Sequence, residues 1–227
     1  SGYKRKFSEI YQDEELRLYL IIIASSVLCI ALNLIFTSYD NIGIAFRDAY
    51  FHVTSIITTT GYSTVDFDLW PSFSKGILLL LMFVGASAGS TGGAIKVIRI
   101  LVMFKLIRRE IGKLFHPRAM MPVKYNGKVM QNETVSGIVS FVFLYIFIFV
   151  ISTLLITLEG IDLESAASAV AATLGNIGPG LGFVGPSTTF NGFSQISKVL
   201  FTFLMLIGRL ELDRKSTRLN SSHGIIS

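Results

Sequence analysis

The sequence predicts an all-α membrane protein of two tandem repeats. Each repeat is a spanning helix, a re-entrant half-helix and a second spanning helix. Three observations predict this. Hydrophobic residues make up 51% of the 227 and charged residues 15%, against about 25% charged in ordinary soluble domains. Apolar runs of spanning length alternate with segments too short or too polar to span. The charges are also segregated. Lys96, Arg99, Lys105, Arg108, Arg109, Lys113, Arg118, Lys124 and Lys128 fall in one connection, opposed only by Glu110. Asp40, Asp48, Asp66, Asp68, Glu159, Asp162 and Glu164 fall in the connections that emerge on the other side. This positive-inside pattern places the basic connection in the cytoplasm. It also accounts for the net charge of +5 without nucleic acid as a partner.

Residues 1–17 are polar, and Lys4, Arg5, Lys6 and Arg17 give them a cytoplasmic character. The chain opens Ser1-Gly2 with neither a signal-peptide pattern nor a methionine, as expected of a chain that starts inside a longer protein. Leu18 to Phe36 is nearly charge-free and long enough to span. Asn33 is its polar exception and reads as the approach to the interface rather than a helix-packing contact. Ile42 to Ile57 carries Arg47, Asp48 and His52 and is too short to span, which fits a re-entrant half-helix.

Thr58-Thr59-Thr60-Gly61 follows. A hydroxyl run ending in glycine makes a poor helix and a poor buried strand. In a membrane, irregular backbone survives only where it lines water or is buried in protein. Consecutive carbonyls backed by threonine hydroxyls can replace the water shell of a small cation, and a half-helix ending here would point its negative end at them. The competing reading is a Thr-rich turn between helices. Asp66, Asp68, Trp70 and Pro71 read as an outer loop with Trp70 as interface anchor.

The next apolar run begins at Lys75 and is interrupted by Gly85-Ala86-Ser87-Ala88-Gly89-Ser90-Thr91-Gly92-Gly93. Ile95 precedes Lys96, so the spacing of a phosphate-binding loop is absent. Glycine at this density disfavours helix and predicts a break at membrane depth; the competing reading is close helix packing through small residues. The basic connection occupies residues 105–132, and Val135 to Leu158 is the next spanning run. The pattern then recurs. Leu163 to Leu174 is another short segment, ending in Gly175-Asn176-Ile177-Gly178-Pro179-Gly180-Leu181-Gly182. Lys75, Met82 and Gly85 return as Lys198, Met205 and Gly208 with identical spacing. The two repeats therefore occupy residues 18–104 and 133–212. Two loops with one shared layout weigh against the simple-turn reading.

The single Cys29 excludes an internal disulfide framework, and His52, His116 and His223 have no metal-ligand spacing. An intramembrane enzyme using His52, Asp66 or Ser90 lacks a base at recognisable spacing from a nucleophile.

Several motifs, in order, resemble the TrkH potassium-uptake proteins of the Trk/Ktr/HKT superfamily over Ser1 to Leu212. They are Thr58-Thr59-Thr60-Gly61-Tyr62, Ala88 to Gly93 through Lys96, His116-Pro117-Arg118, Asn176 to Gly182, and Gly208-Arg209-Leu210-Glu211. The resemblance implies four membrane-pore-membrane repeats around one potassium-channel-like pore, of which this chain matches the third and fourth. It implies potassium as substrate, no cofactor and no catalytic residue. The filter would be Thr59, Thr60, Gly61, Asn176, Ile177 and Gly178, with the backbone of Thr59, Thr60, Asn176 and Ile177 binding the ion. Gly85, Gly89, Ser90, Thr91, Gly92 and Gly93 would form a gating loop reached by Arg209. Glu211 does not share a helical face with Arg209, so the loop carbonyls are the better acceptors; snorkelling to the interface is the alternative.

The resemblance further implies a multi-pass protein of the bacterial inner membrane, in contact with lipid and a homodimer at full length. It implies a cytoplasmic TrkA-type nucleotide-binding regulator as partner, for which the basic connection is a candidate surface. Symport, including sodium/potassium co-transport, and a non-conducting scaffold of the same ancestry stand beside this reading. Asp213 to Ser227 departs from the family. It looks like translated sequencing adapter and is set apart from the fold.

Overall fold

The computed structural model describes residues 13–90, 92–115 and 121–221, with side chains described as far as Arg209. Helix α1 is Glu14–Thr37, started by Asp13, whose carboxylate accepts from the Glu15 N–H at 3.0 Å. Its buried residues Val27, Ile30, Ala31 and Leu34 make one stripe at helical spacing, while Leu20, Ile21, Leu28 and Leu32 are exposed. A helix that is apolar all round, yet buried on one side only, presents its other faces to lipid. Asn33 corrects the sequence reading: it accepts from Ser74 Oγ at 2.8 Å and is a helix-packing contact.

Helix α2, Ile42–Ile57, is capped by the Asn41 carboxamide. It is about 24 Å long by helical rise, short of the ~30 Å hydrocarbon core. A 3-10 turn at Phe67–Leu69 follows, started by Asp66. Trp70 is buried and packs edge-on against His52 at 5.1 Å between ring centres, so it is a core residue here and not an interface anchor. Helix α3 is Ser72–Phe83 and α4 is Val97–Phe115. Between them the chain leaves the helix. Two bonds close the neck of this excursion, Gly85 N–H to Ile95 C=O at 2.8 Å and Ile95 N–H to Phe83 C=O at 3.0 Å. Helix α4 continues through residue 104, where the sequence placed a boundary.

Strands β1 (Lys124–Tyr125) and β2 (Lys128–Val129) form a hairpin. Asn126 and Gly127, both at positive φ, make the two-residue turn that suits strand twist. Then come α5 (Asn132–Thr157), α6 (Leu163–Leu174) and α7 (Gln195–Ser221). Among the described residues, α1 and α5 are long and apolar enough to cross a membrane. Helix α6 repeats the short length of α2, and α7 repeats α3–α4 without the break.

The two repeats interlock at the first repeat's core. The cluster built on α1, α2 and α3 takes in Ala171, Ala172, Ile177 and Leu181 of the second repeat. The loops opposite the hairpin are stitched as well. Lys75 pairs with Glu164 at 2.8 Å and with Asp68 at 3.5 Å. Asp68 also accepts from the Gly182 N–H at 2.8 Å, and Asp66 accepts from Ser187 Oγ at 2.6 Å. Removing Asp68 orphans an amide, whereas Glu164 is half-exposed and its pair is screened. Asp68→Ala is therefore expected to cost about 1–2 kcal/mol, and Glu164→Ala well under about 1 kcal/mol, read as thermal unfolding in detergent.

Asp162 caps α6. Hydrogen bonds from Ser165 to its carboxylate hold its pKa below the usual value. A depressed folded pKa means that the cap is fully present above the unfolded value and is lost as pH falls through the folded one. Thermal stability should fall in that acid window, and less so in Asp162→Asn.

Candidate functional site

The ends of α2 and α6 carry equivalent loops. After α2, Thr58 N–H bonds back to Thr54 C=O at 3.0 Å, Thr59 N–H to Ile56 C=O at 3.0 Å, and Thr60 N–H to Ser55 C=O at 2.9 Å. After α6, Gly175 N–H bonds to Ala171 C=O at 2.8 Å, Asn176 N–H to Thr173 C=O at 3.1 Å, and Ile177 N–H to Ala172 C=O at 2.8 Å. The order is the same at each step. The dihedrals also match. Thr59 and Gly61 have φ of 56° and 76°, and Asn176 and Gly178 have 53° and 119°. Residues of opposite handedness therefore alternate, which turns successive peptide groups the same way.

Because the N–H groups are tied back into the helices, the carbonyls are what remains. Among the described residues, no donor takes up the carbonyls of Thr58 to Gly61 or of Gly175 to Gly178. Side chains brace the first loop: Thr58 Oγ1 donates to Thr54 C=O at 2.6 Å and lies 2.8 Å from Thr60 Oγ1, and Ser55 Oγ donates to Tyr62 C=O at 2.6 Å. The helix C-termini add their negative dipole ends. Oriented carbonyls without donors, at the negative end of a helix, have the chemistry that suits a cation. Among the described residues, no group of three His, Cys, Asp or Glu side chains is placed to hold a metal.

The two loops stand side by side. A Cβ on Gly61 would collide with the Ile177 carbonyl oxygen and lie 3.1 Å from Pro179 Cδ. Asn176 reaches the other way, its Nδ2 donating to Met205 C=O on α7 at 3.0 Å. Gly208 lets α7 approach, since a Cβ there would collide with the Leu174 carbonyl at the end of α6.

The glycine-rich excursion packs against this arrangement. A Cβ on Gly92 would lie 2.9 Å from Thr59 Oγ1, and one on Gly93 would collide with the Gly175 carbonyl. Gly85 is at the neck, Gly89 is exposed, and Ser90 Oγ accepts from the Gly92 N–H at 3.1 Å. Thr91 and the His116-Pro117-Arg118 motif lie outside the described residues. The cation inside the excursion is Lys96. It is buried, and its Nζ donates to the carbonyls of Ser87 and Ala88, each at 3.4 Å, and of Ser90. Sequence reading counts Lys96 among the basic connection's charges and as the edge of a motif, not as a partner of the loop carbonyls. Its place three residues after the glycine run is the available signal. Arg209 is exposed, and it makes no hydrogen bond to the described residues of the loop.

His52, Asp66 and Ser90 are not assembled. His52 Nδ1 lies 2.8 Å from the Asp48 carbonyl, Asp66 accepts from Ser187, and Ser90 belongs to the excursion.

The family described as "TrkH: Cation transport protein" matches residues 11–214. The Trk system potassium uptake protein TrkH of Salmonella typhimurium is 36% identical over 209 residues, covering 92% of this chain and 43% of that protein. TrkH of Vibrio parahaemolyticus is 39% identical over 203 residues, covering 89% of this chain and 41% of that protein. The crystal structure of the potassium transporter TrkH from Vibrio parahaemolyticus superposes with a TM-score of 0.82 at 38% identity, covering 92% of this chain and 44% of that one. The chain thus spans under half the length of these relatives. By the family match and these relatives together, it belongs to the TrkH cation transport protein family.

Proposed function

We propose that this chain forms one half of a potassium-uptake pore. The observation that carries the reading is the pair of equivalent loops whose N–H groups are tied back while their carbonyls stay free. In this reading the carbonyls of Thr59, Thr60, Asn176 and Ile177 replace the hydration shell of the ion, with Gly61 and Gly178 permitting the backbone turn. The glycine-rich loop from Gly85 to Gly93 controls passage from beneath. Residues 1–17 and 105–132 face the cytoplasm of a bacterial inner membrane, by charge asymmetry. The full-length protein pairs with itself, and the basic connection contributes to docking a TrkA-type regulator. Likeness to transporters, together with the scattering of His52, Asp66 and Ser90, favours transport over catalysis.

The test is potassium uptake in a bacterium that depends on added potassium. Residues 1–212 are joined to the first half of a TrkH relative, and the last helix is completed from it. This completed protein should rescue growth at low potassium. Gly178→Ser should lose rescue or potassium preference, because φ of 119° admits glycine alone. A well-inserted completed protein that does not rescue would leave the non-conducting scaffold in its place.

A further inference from the structure

We propose that Glu15 is the positioning residue of the intramembrane loop, a latch through which the β1–β2 hairpin holds that loop under the filter. The proposal rests on the filter reading above, and its test separates the two.

A continuous set of polar contacts leads from the hairpin to the loop. At the hairpin tip, Asn126 Oδ1 accepts from the Glu14 N–H at 3.1 Å, and the Asn126 N–H donates to Glu14 Oε2 at 3.0 Å. These reciprocal bonds fix the start of α1. Lys105 of α4 adds a pair with the Glu14 carboxylate and donates to the Lys124 carbonyl at 2.7 Å. Tyr125 donates its hydroxyl toward Asp13 Oδ1 at 3.4 Å and Glu15 Oε2 at 3.5 Å. Burial, then the neighbouring carboxylates, push the Tyr125 phenol well above its usual pKa, so it remains a neutral donor.

Glu15 is the joint. It is 6% exposed, which is unusual for a carboxylate at a helix start. Its other oxygen, Oε1, accepts from the Ala88 N–H at 2.6 Å, inside the loop and 73 residues away in sequence. Ala88 offers its carbonyl to Lys96 Nζ, which also takes the Ser87 and Ser90 carbonyls. The loop is thus held from both of its polar sides, its N–H by Glu15 and its carbonyls by Lys96. Beyond Ser90, the same segment packs on Thr59 and Gly175. Its own sequence is glycine-rich and non-helical, so it has little intrinsic stiffness. A charge-assisted bond at one point therefore decides where it sits.

Releasing the latch should loosen the loop without touching the filter. Glu15→Ala in the completed protein is expected to speed amide exchange of segment 85–96 and leave segments 55–62 and 172–180 unchanged. Basal potassium uptake should rise about fivefold or more, with potassium-over-sodium preference unchanged. Glu15→Gln keeps an acceptor for the Ala88 N–H and should stay near the parent. Tyr125→Phe combined with Asn126→Ala, which loosens only the hairpin's grip, should move exchange in the same direction, and it carries the test if Glu15→Ala does not reach the membrane. Unchanged exchange of segment 85–96 in whichever variant is read would overturn the latch. So would uptake that falls together with selectivity, the mark of general damage. Faster loop exchange in a protein whose parent does not conduct would support the latch and sink the filter reading instead.

Discussion

Gly61→Ser is expected to abolish selective potassium uptake by the completed protein. Two effects act together. Residue 61 sits at φ 76°, a conformation that costs an ordinary L-residue roughly 1–2 kcal/mol. The added Cβ would also collide with the backbone carbonyl of Ile177, itself a proposed ion ligand. No flexible side chain is there to yield, so either loop must shift, and the carbonyl geometry of both loops goes with it. Gly127 provides the internal control. It has nearly the same φ, 78°, but nothing lies within 4 Å of where its Cβ would stand, and it sits in the hairpin turn, away from the filter. Gly127→Ala should cost about 1 kcal/mol of stability and leave potassium preference intact. Equal loss of preference in both variants would mean that strain anywhere in the chain damages transport, and that the collision at Ile177 is irrelevant.

The second large effect is expected at Gly208. Gly208→Val would drive α7 away from the end of α6, because the first added carbon meets the Leu174 carbonyl. That displacement also removes the Met205 carbonyl from Asn176 Nδ2, the bond holding the second loop to α7. Uptake should be lost. Asn176→Ala breaks only the hydrogen bond and places alanine at φ 53°, a conformation asparagine tolerates better. It should cost about 1–2 kcal/mol and lower potassium preference without abolishing uptake. Uptake by Gly208→Val at the parental rate would show that α7 need not pack this closely.

Much of this arrangement is legible in the sequence because it is local. Helix lengths follow from apolar runs, and the break after Phe83 follows from the glycines that begin at Gly85. The likeness of Thr58–Gly61 to Gly175–Gly178 follows from their places after two short helices. Contacts between distant segments are not legible. Composition marks Asn33 and Trp70 as interface residues, yet each has a tertiary partner, Ser74 and His52. Glu15 looks like one more charge in a cytoplasmic segment, since nothing local marks its bond to Ala88. Lys96 and Arg209 show the limit most plainly. Both are cations close to glycine, and only the fold distinguishes the one whose ammonium is surrounded by carbonyls from the one left exposed.

The most direct test of the central claim is the position of the ion. Crystals of the completed protein grown with rubidium, a heavy potassium analogue, would be measured for anomalous density. The account predicts a peak in contact with the carbonyls of Thr59, Thr60, Asn176 and Ile177. Strong rubidium peaks elsewhere in the membrane region, with none at these carbonyls, would contradict it.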